Sequence, residues 1–345
     1  MGLGEGHGGS GRQKRCCKSL KQSRMGAISY QLKIVSLSIH ATKLTEKTKS
    51  WLVFAMDARV KARFFEVENV ENGNATLFDC LHQLWEHPRR SEYETVYGDA
   101  RVRIENFEND PAVVGEGFVD GEFVRQQTHN IPPIAEQGQP LEGNPRPLGH
   151  RCAFRYHAGL NILLLESRRE AVTPTRVDAL VKARLAPHRG FFLSPVLSQA
   201  ALENLRNGTP RRVTFRVARP ADMGIVEGED LGLEENLARL QNHFGGPNIE
   251  VTASWPAGNR EGVLNARAIG RAIRWATGNR EHVEKFQVKI SEETDPIDIF
   301  SEQLKSVEVL ELDNENVDRN FRTRRDFLAR SFNDHLPILR RLYQR

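Results

Sequence analysis

Residues 209–220, TPRRVTFRVARP, hold four arginines on a pattern that reads as a β-strand. Alternation sends Val213, Phe215 and Val217 to one side and Arg212, Thr214 and Arg216 to the other, with Arg211 and Arg219 at the two ends. Guanidinium forks match phosphate oxygens in pairs, so a row of them on a sheet face suits a polyanion such as nucleic acid; a solvated sheet face is the plainer alternative. Arg168, Arg169 and Lys182 lie upstream in the same basic run. From residue 146 to 219 basic side chains face few acids, whereas residues 92–122 are acidic, through Glu92, Glu94, Glu105, Glu108, Asp120 and Glu122 among others. Arg168, Arg169, Lys182, Arg211, Arg212, Arg216 and Arg219 are therefore the expected phosphate contacts. Phe154, Tyr156, Phe191 and Phe192 are interleaved with them and could stack on bases, although their strand spacings favour the core.

Other chemistries leave weaker traces. No G-x-S-x-G elbow is present, and Cys80 sits in an apolar helical pattern that marks it as core. Cys16, Cys17, Cys80 and Cys152 give neither C-x-x-C spacing nor a disulfide framework. His150, Cys152 and His157 are close in sequence, but alternation places Cys152 and His157 on opposite strand faces. Glu250, Asp295, Asp298 and Glu311, with Lys289 after a strand, are the acids from which a metal-dependent nuclease would be assembled. No cofactor motif appears.

The chain has 345 residues, a net charge of +4, 39% hydrophobic and 27% charged residues, and a mean hydropathy of −0.52. Those totals describe a folded protein long enough for two modest domains. A pI near 8.9 permits nucleic-acid binding without arguing for it. Arginine outnumbers lysine about three to one, a bias that a GC-rich genome also produces. No apolar run approaches the roughly 20 residues of a membrane-spanning helix, and without a signal peptide the expected location is cytoplasmic.

The elements that must position these residues follow from periodicity and caps. Residues 1–24 read as a disordered basic tail, and translation starts at either Met1 or Met25. An N-terminal α+β domain is expected over 25–129, with a strand over 29–40, mixed strand signals through Val70, a helix around Leu77, Leu81 and Leu84, and hairpin strands beyond it. A Pro- and Gly-rich linker or flap spans 130–149. A basic α+β unit over 150–220 comprises a hairpin turning at 157–161, a helix opened by Thr173 and Pro174, a buried strand at 190–197, a helix between Ser198 and Gly208, and the arginine strand. The region 221–345 alternates helices and strands and ends in a helix over 317–342, in which Pro337 interrupts the pattern. Its apolar stripe, Val317, Phe321, Leu328, Phe332 and Leu339, is a candidate surface for pairing two chains. The fold class is thus α+β: two domains of mixed, mainly antiparallel sheet with flanking helices and a C-terminal helix.

The layout of residues 149–221, GHRCAFRYHAGLNILLLESRREAVTPTRVDALV followed by GFFLSPVLSQAALENLRNGTPRRVTFRVARP, resembles prophage and bacterial proteins related to the Rex exclusion protein A of lambda-like phages. It is also similar to the DNA-binding subunit of the two-component Kiwa antiphage system. The resemblance covers about a fifth of the chain. It implies an α+β protein that binds DNA nonspecifically, as a homodimer, in abortive infection or phage sensing, with an operon-encoded defence partner and no catalytic residues to transfer.

Overall fold

The computed structural model describes residues 55–69, 75–96, 100–110, 117–134, 142–144, 146–168, 170–185, 190–220, 232–255, 264–280, 282–291, 295–313 and 316–343. The expected tail at 1–24, the strand at 29–40 and both candidate start methionines lie outside them. All elements below belong to the unit Val53–Arg345.

In chain order the strands are β1 (Ala55–Asn69), β2 (Glu94–Val96), β3 (Ala100–Asp110), β4 (Phe118–Gln127), β5 (Leu148–His157), β6 (Ile162–Glu166), β7 (Phe191–Pro195), β8 (Arg212–Ala218), β9 (Asn248–Ser254), β10 (Val283–Lys289), β11 (Ile297–Asp298) and β12 (Lys305–Asp313). The helices are α1 (Leu77–Glu86), α2 (Pro174–Arg184), α3 (Gln199–Asn207), α4 (Leu233–Phe244), α5 (Ala266–Gly278), α6 (Ile299–Glu302) and α7 (Val317–Tyr343). Local chemistry sets several of their ends. Thr76 and Asp79 form a capping box on α1, and the Ser198 and Asn265 side chains accept from the first-turn amides of α3 and α5. Pro174 opens α2, where its missing N–H costs no hydrogen bond.

Two antiparallel sheets result, and the α+β class is as the sequence predicts. The eight-stranded sheet runs β12-β1-β6-β5-β4-β3-β2, with β7 also paired to β1. Helices α1 and α2 cover one face of it, enclosing Phe65, Leu81, Phe123, Phe154, Tyr156 and Leu163. Helix α7 covers the other, packing Phe327, Leu328 and Phe332 on Phe64, Phe118 and Leu164. This two-sided burial explains why β6, ILLLE, is a continuous apolar run rather than an alternating one. The four-stranded sheet runs β11-β10-β8-β9. Its inner face, with Val213, Phe215, Val217 and Phe286, packs on Leu237 of α4 and on Ile269, Ile273 and Trp275 of α5.

Two features of the organisation bear on those expectations. Residues 130–149 connect β4 to β5, and those strands pair in continuous register from Phe118 opposite His157 to Gln127 opposite Leu148. The segment is therefore an excursion from one sheet, and the larger sheet draws strands from all three regions expected over 25–129, 150–220 and 221–345. The apolar stripe of α7, offered as a surface between two chains, is largely spent within this one: Phe321, Leu328, Phe332 and Leu339 are buried, and only Val317 of that stripe is exposed.

The inversion of charge along the sequence also acquires a physical meaning. Much of the basic run faces the acidic run across the large sheet. Arg155 meets Asp120 at 2.6 Å, Arg151 meets Glu122 at 2.5 Å, and Arg184 of α2 meets Glu94 at 2.9 Å. Arg324 of α7 reaches Glu122 at 2.7 Å and Glu166 at 3.4 Å, with all three side chains almost wholly enclosed. Opposite charges separated in sequence are thus neutralised by register, and only part of the basic run remains for a ligand.

Candidate anion-binding surfaces

Of the seven basic residues singled out from the sequence, Arg169 lies outside the described residues, and Arg211 stands half-buried just before β8, its N–H donating to the Lys289 carbonyl at 2.8 Å; the other five fall in three places. Lys182 is structural. Its ammonium lies 2.7 Å from Asp178, whose Oδ1 accepts the Phe191 N–H, so the pair fixes the start of β7 against α2. Gly190, at φ +85°, leaves room for both side chains, since a Cβ there would lie 2.1 Å from Asp178 and 2.2 Å from Lys182.

Arg212 and Arg216 stand on the open face of the four-stranded sheet. Burial alternates along β8 as the spacing requires, with Val213, Phe215 and Val217 inside and Arg212 and Arg216 exposed. Register then assembles a grid around them. Arg212 lies opposite Lys289 of β10 and Ser254 of β9; Thr214 opposite Gln287 and Thr252; Arg216 opposite Lys285 and Glu250. A bulge between Val283 and Lys285 keeps Lys285 in phase with Arg216. Arg216 donates to Glu250 through Nε at 3.0 Å and Nη2 at 2.7 Å, and the Thr214 and Thr252 hydroxyls lie 3.1 Å apart. Among the described residues, the side chains of this face are hydrophilic and none is aromatic. Phe154, Tyr156 and Phe191 are buried in the core, and Phe192 is half-buried beneath the Arg274 guanidinium at 4.5 Å, so none of these stacks on bases at this surface.

Arg168 and Arg219 belong to a different feature, a cleft of about 560 Å³ where β1, β6 and α2 meet the end of β8 and the turn after α5. Lys61, Arg63 and Arg280 complete its basic lining, with Glu166 and Glu284 as its acids. Arg168 lies 2.7 Å from Glu166, the carboxylate that also receives Arg324 from the opposite face. Arg219 has a left-handed backbone, φ +48°, held by its N–H donating to the Pro247 carbonyl at 2.7 Å. Arg63 lies opposite Lys305 across the β1–β12 ladder. The Nε atoms of Arg63 and Arg280 are shut away from solvent with no hydrogen-bond partner among the described residues; elsewhere on its side chain, Arg280 donates Nη1 to the Val283 carbonyl at 2.6 Å. Burial, reinforced by Arg63, Lys305, Arg280 and Arg59, brings the Lys61 ammonium down to about 8, and burial with Arg280 nearby brings Arg63 down to about 10.

Sequence reasoning missed Lys61 and Arg63, although β1 carries the same signal as β8: Arg59, Lys61 and Arg63 alternate with the buried Val60, Ala62 and Phe64. Lys285 and Lys289 alternate likewise with Phe286 and Val288 on β10. Arg280, in a turn after α5, gives no periodic signal. The acids weighed for a nuclease do not gather. Glu250 and Asp298 lie on β9 and β11, the two edges of the smaller sheet, roughly 14 Å apart at the usual strand spacing. Asp298 caps α6 by accepting from the Phe300 and Ser301 amides, Asp295 borders a separate shallow cleft with Glu203 and Asn204, and Glu311 faces Asp57 in the larger sheet.

No protein-family model matches the chain, and no curated protein matches it significantly.

Proposed function

We propose that this protein binds DNA without sequence preference, through phosphates of the backbone, on the open face of its four-stranded sheet. The observation that supports this reading is the register of β8 with β10. It sets Arg212 directly opposite Lys289 and Arg216 directly opposite Lys285. That register sets cations of neighbouring strands side by side, at a spacing from which each can meet a backbone phosphate. Thr214, Thr252, Ser254 and Gln287 add short polar groups between the cations, suited to phosphate and sugar oxygens rather than to base edges. Among the described residues this face presents neither an aromatic side chain nor a helix, which favours contact with the backbone. The likeness of residues 149–221 to Rex exclusion and Kiwa proteins supports a setting in prophage exclusion or antiphage defence. A homodimer belongs to the same reading, and with α7 buried in its own chain, pairing would use another surface.

A mobility-shift titration of a random-sequence duplex at about 50 and about 200 mM salt tests it, with affinity expected to fall along a log–log slope of about −3 to −4 for four phosphate contacts. The double variant Arg212→Gln/Lys289→Gln should lower the slope by about 2, while Glu250→Gln, which frees Arg216, should tighten binding. No shift at the lower salt, or an unchanged slope in the double variant, would reject this face.

A further inference from the structure

The cleft between β1, β6, α2 and the turn after α5 is separate from the sheet face and has a different geometry. We infer that it is a binding site for a small polyphosphorylated ligand, of the size and charge of a nucleoside di- or triphosphate. Among the described residues, five basic side chains, Lys61, Arg63, Arg168, Arg219 and Arg280, line one concavity against two acids, Glu166 and Glu284. Glu166 is already shared between Arg168 and Arg324, which leaves a marked excess of positive charge. Burial and neighbouring cations hold the Lys61 ammonium and the Arg63 guanidinium below their ordinary values, and an anionic ligand in the cleft would offset that repulsion.

Size and depth select the ligand. About 560 Å³ lies within the range of pockets for nucleotide-sized molecules. Arg63 and Arg280 are half-buried residues of the lining, so an anion that meets them there must enter the concavity. A terminal phosphoryl group on a narrow chain can do so, whereas the backbone of a rigid duplex, about 20 Å across, meets only exposed surface. Phe65, Leu165, Val172 and Pro174 give the cleft an apolar wall beside the cations, as a ligand with one apolar and one anionic part requires. The start of α2 lies on the same wall.

Calorimetric titration of the full chain with inorganic phosphate, pyrophosphate, AMP and ATP is the test. Pyrophosphate and ATP should bind and raise the melting temperature, with phosphate and AMP at least tenfold weaker. Arg63→Gln and Arg280→Gln should each lose tenfold or more in ATP affinity, and the melting temperature of Arg63→Gln without ligand should equal or exceed that of the parent chain, because it removes a buried charge that Arg280 repels. Should either fail to fold, Lys61→Gln carries the same expectation of lost ATP affinity. The sheet variant Arg212→Gln/Lys289→Gln should bind ATP as the parent does, and Arg63→Gln should still shift duplex DNA, so the two surfaces stand or fall separately. Absence of binding by both pyrophosphate and ATP at low salt, or undiminished binding in the folded cleft variants, would overturn the assignment. Competition by short single-stranded DNA that is lost in Arg63→Gln would reassign the cleft to a strand end and overturn the small-ligand reading as well.

Discussion

Lys61 shows how one residue reports on its surroundings. Arg63 and Arg59 share its strand, Lys305 approaches from β12 and Arg280 from the turn after α5, while Glu166 and Glu284 are the acids of the same cleft. Repulsion and burial together bring its ammonium to about 8 from the ordinary 10.5. Between those two values the unfolded chain holds a proton that the folded chain has released, so this group's contribution to stability rises with pH through that window. Below about 8 both states are charged and the full repulsion is felt. Lys61→Met should therefore be more stable than the parent at about pH 7, with the advantage shrinking to nothing as pH approaches 10.5, as urea unfolding midpoints can follow. An advantage that persists unchanged at high pH would mean that repulsion at Lys61 is not its source. By the same linkage, affinity for a polyphosphate falls as pH rises past about 8. Of the five lysines after residue 52, Lys61 lines the cleft, Lys305 acts on its charge from β12, and Lys285 and Lys289 stand on the sheet face. In a chain dominated by arginine, that placement does not follow from nucleotide composition.

Among the elements, α7 is the one whose removal of a single side chain should be felt most. Arg324 holds Glu122 and Glu166, both fully enclosed under the helix, and burial raises the Glu122 carboxyl above its ordinary range despite Arg324 and Arg151. Arg324→Met leaves those carboxylates facing an apolar group and should cost about 3–5 kcal/mol, whereas adding Glu122→Gln should restore part of the loss. Denaturant unfolding of the two variants measures both; a cost under about 1 kcal/mol for Arg324→Met would show that Arg151 and Arg168 suffice. Element boundaries were largely legible in the sequence, because caps and turns are local. Ser198 and Gly208 bracket α3, Pro174 opens α2, and the 157–161 turn separates β5 from β6. Pairing was not legible. Arg151 and Arg155 looked like part of a solvent-facing basic surface, yet they are consumed by Glu122 and Asp120 some 30 residues away, through a register that no local pattern states. The sheet face was half visible, since β8 declared its row and β10 supplied the facing lysines only once the strand order was known.

At the scale of the molecule, one strand connects nearly everything. Along one edge β1 pairs first with β12 and then with β7, and along the other it pairs with β6. The cleft depends on this arrangement, because β1 carries Lys61 and Arg63 to the point where the turn after α5 brings Arg280, more than 200 residues later. Its composition was unreadable beforehand for that reason: sequence separation hides it, and strand order reveals it. The same geometry has a meaning for synthesis. A ribosome must deliver Lys305–Asp313 before the edge of β1 is covered, and must then deliver Arg324 before two enclosed carboxylates are answered. A chain halted short of residue 305 should consequently emerge sticky and protease-sensitive, with its first strand exposed as a template for aggregation. Release assays on chains stopped at successive positions should find protection arriving late and abruptly, near the completion of the last helix, rather than accumulating as the earlier strands appear.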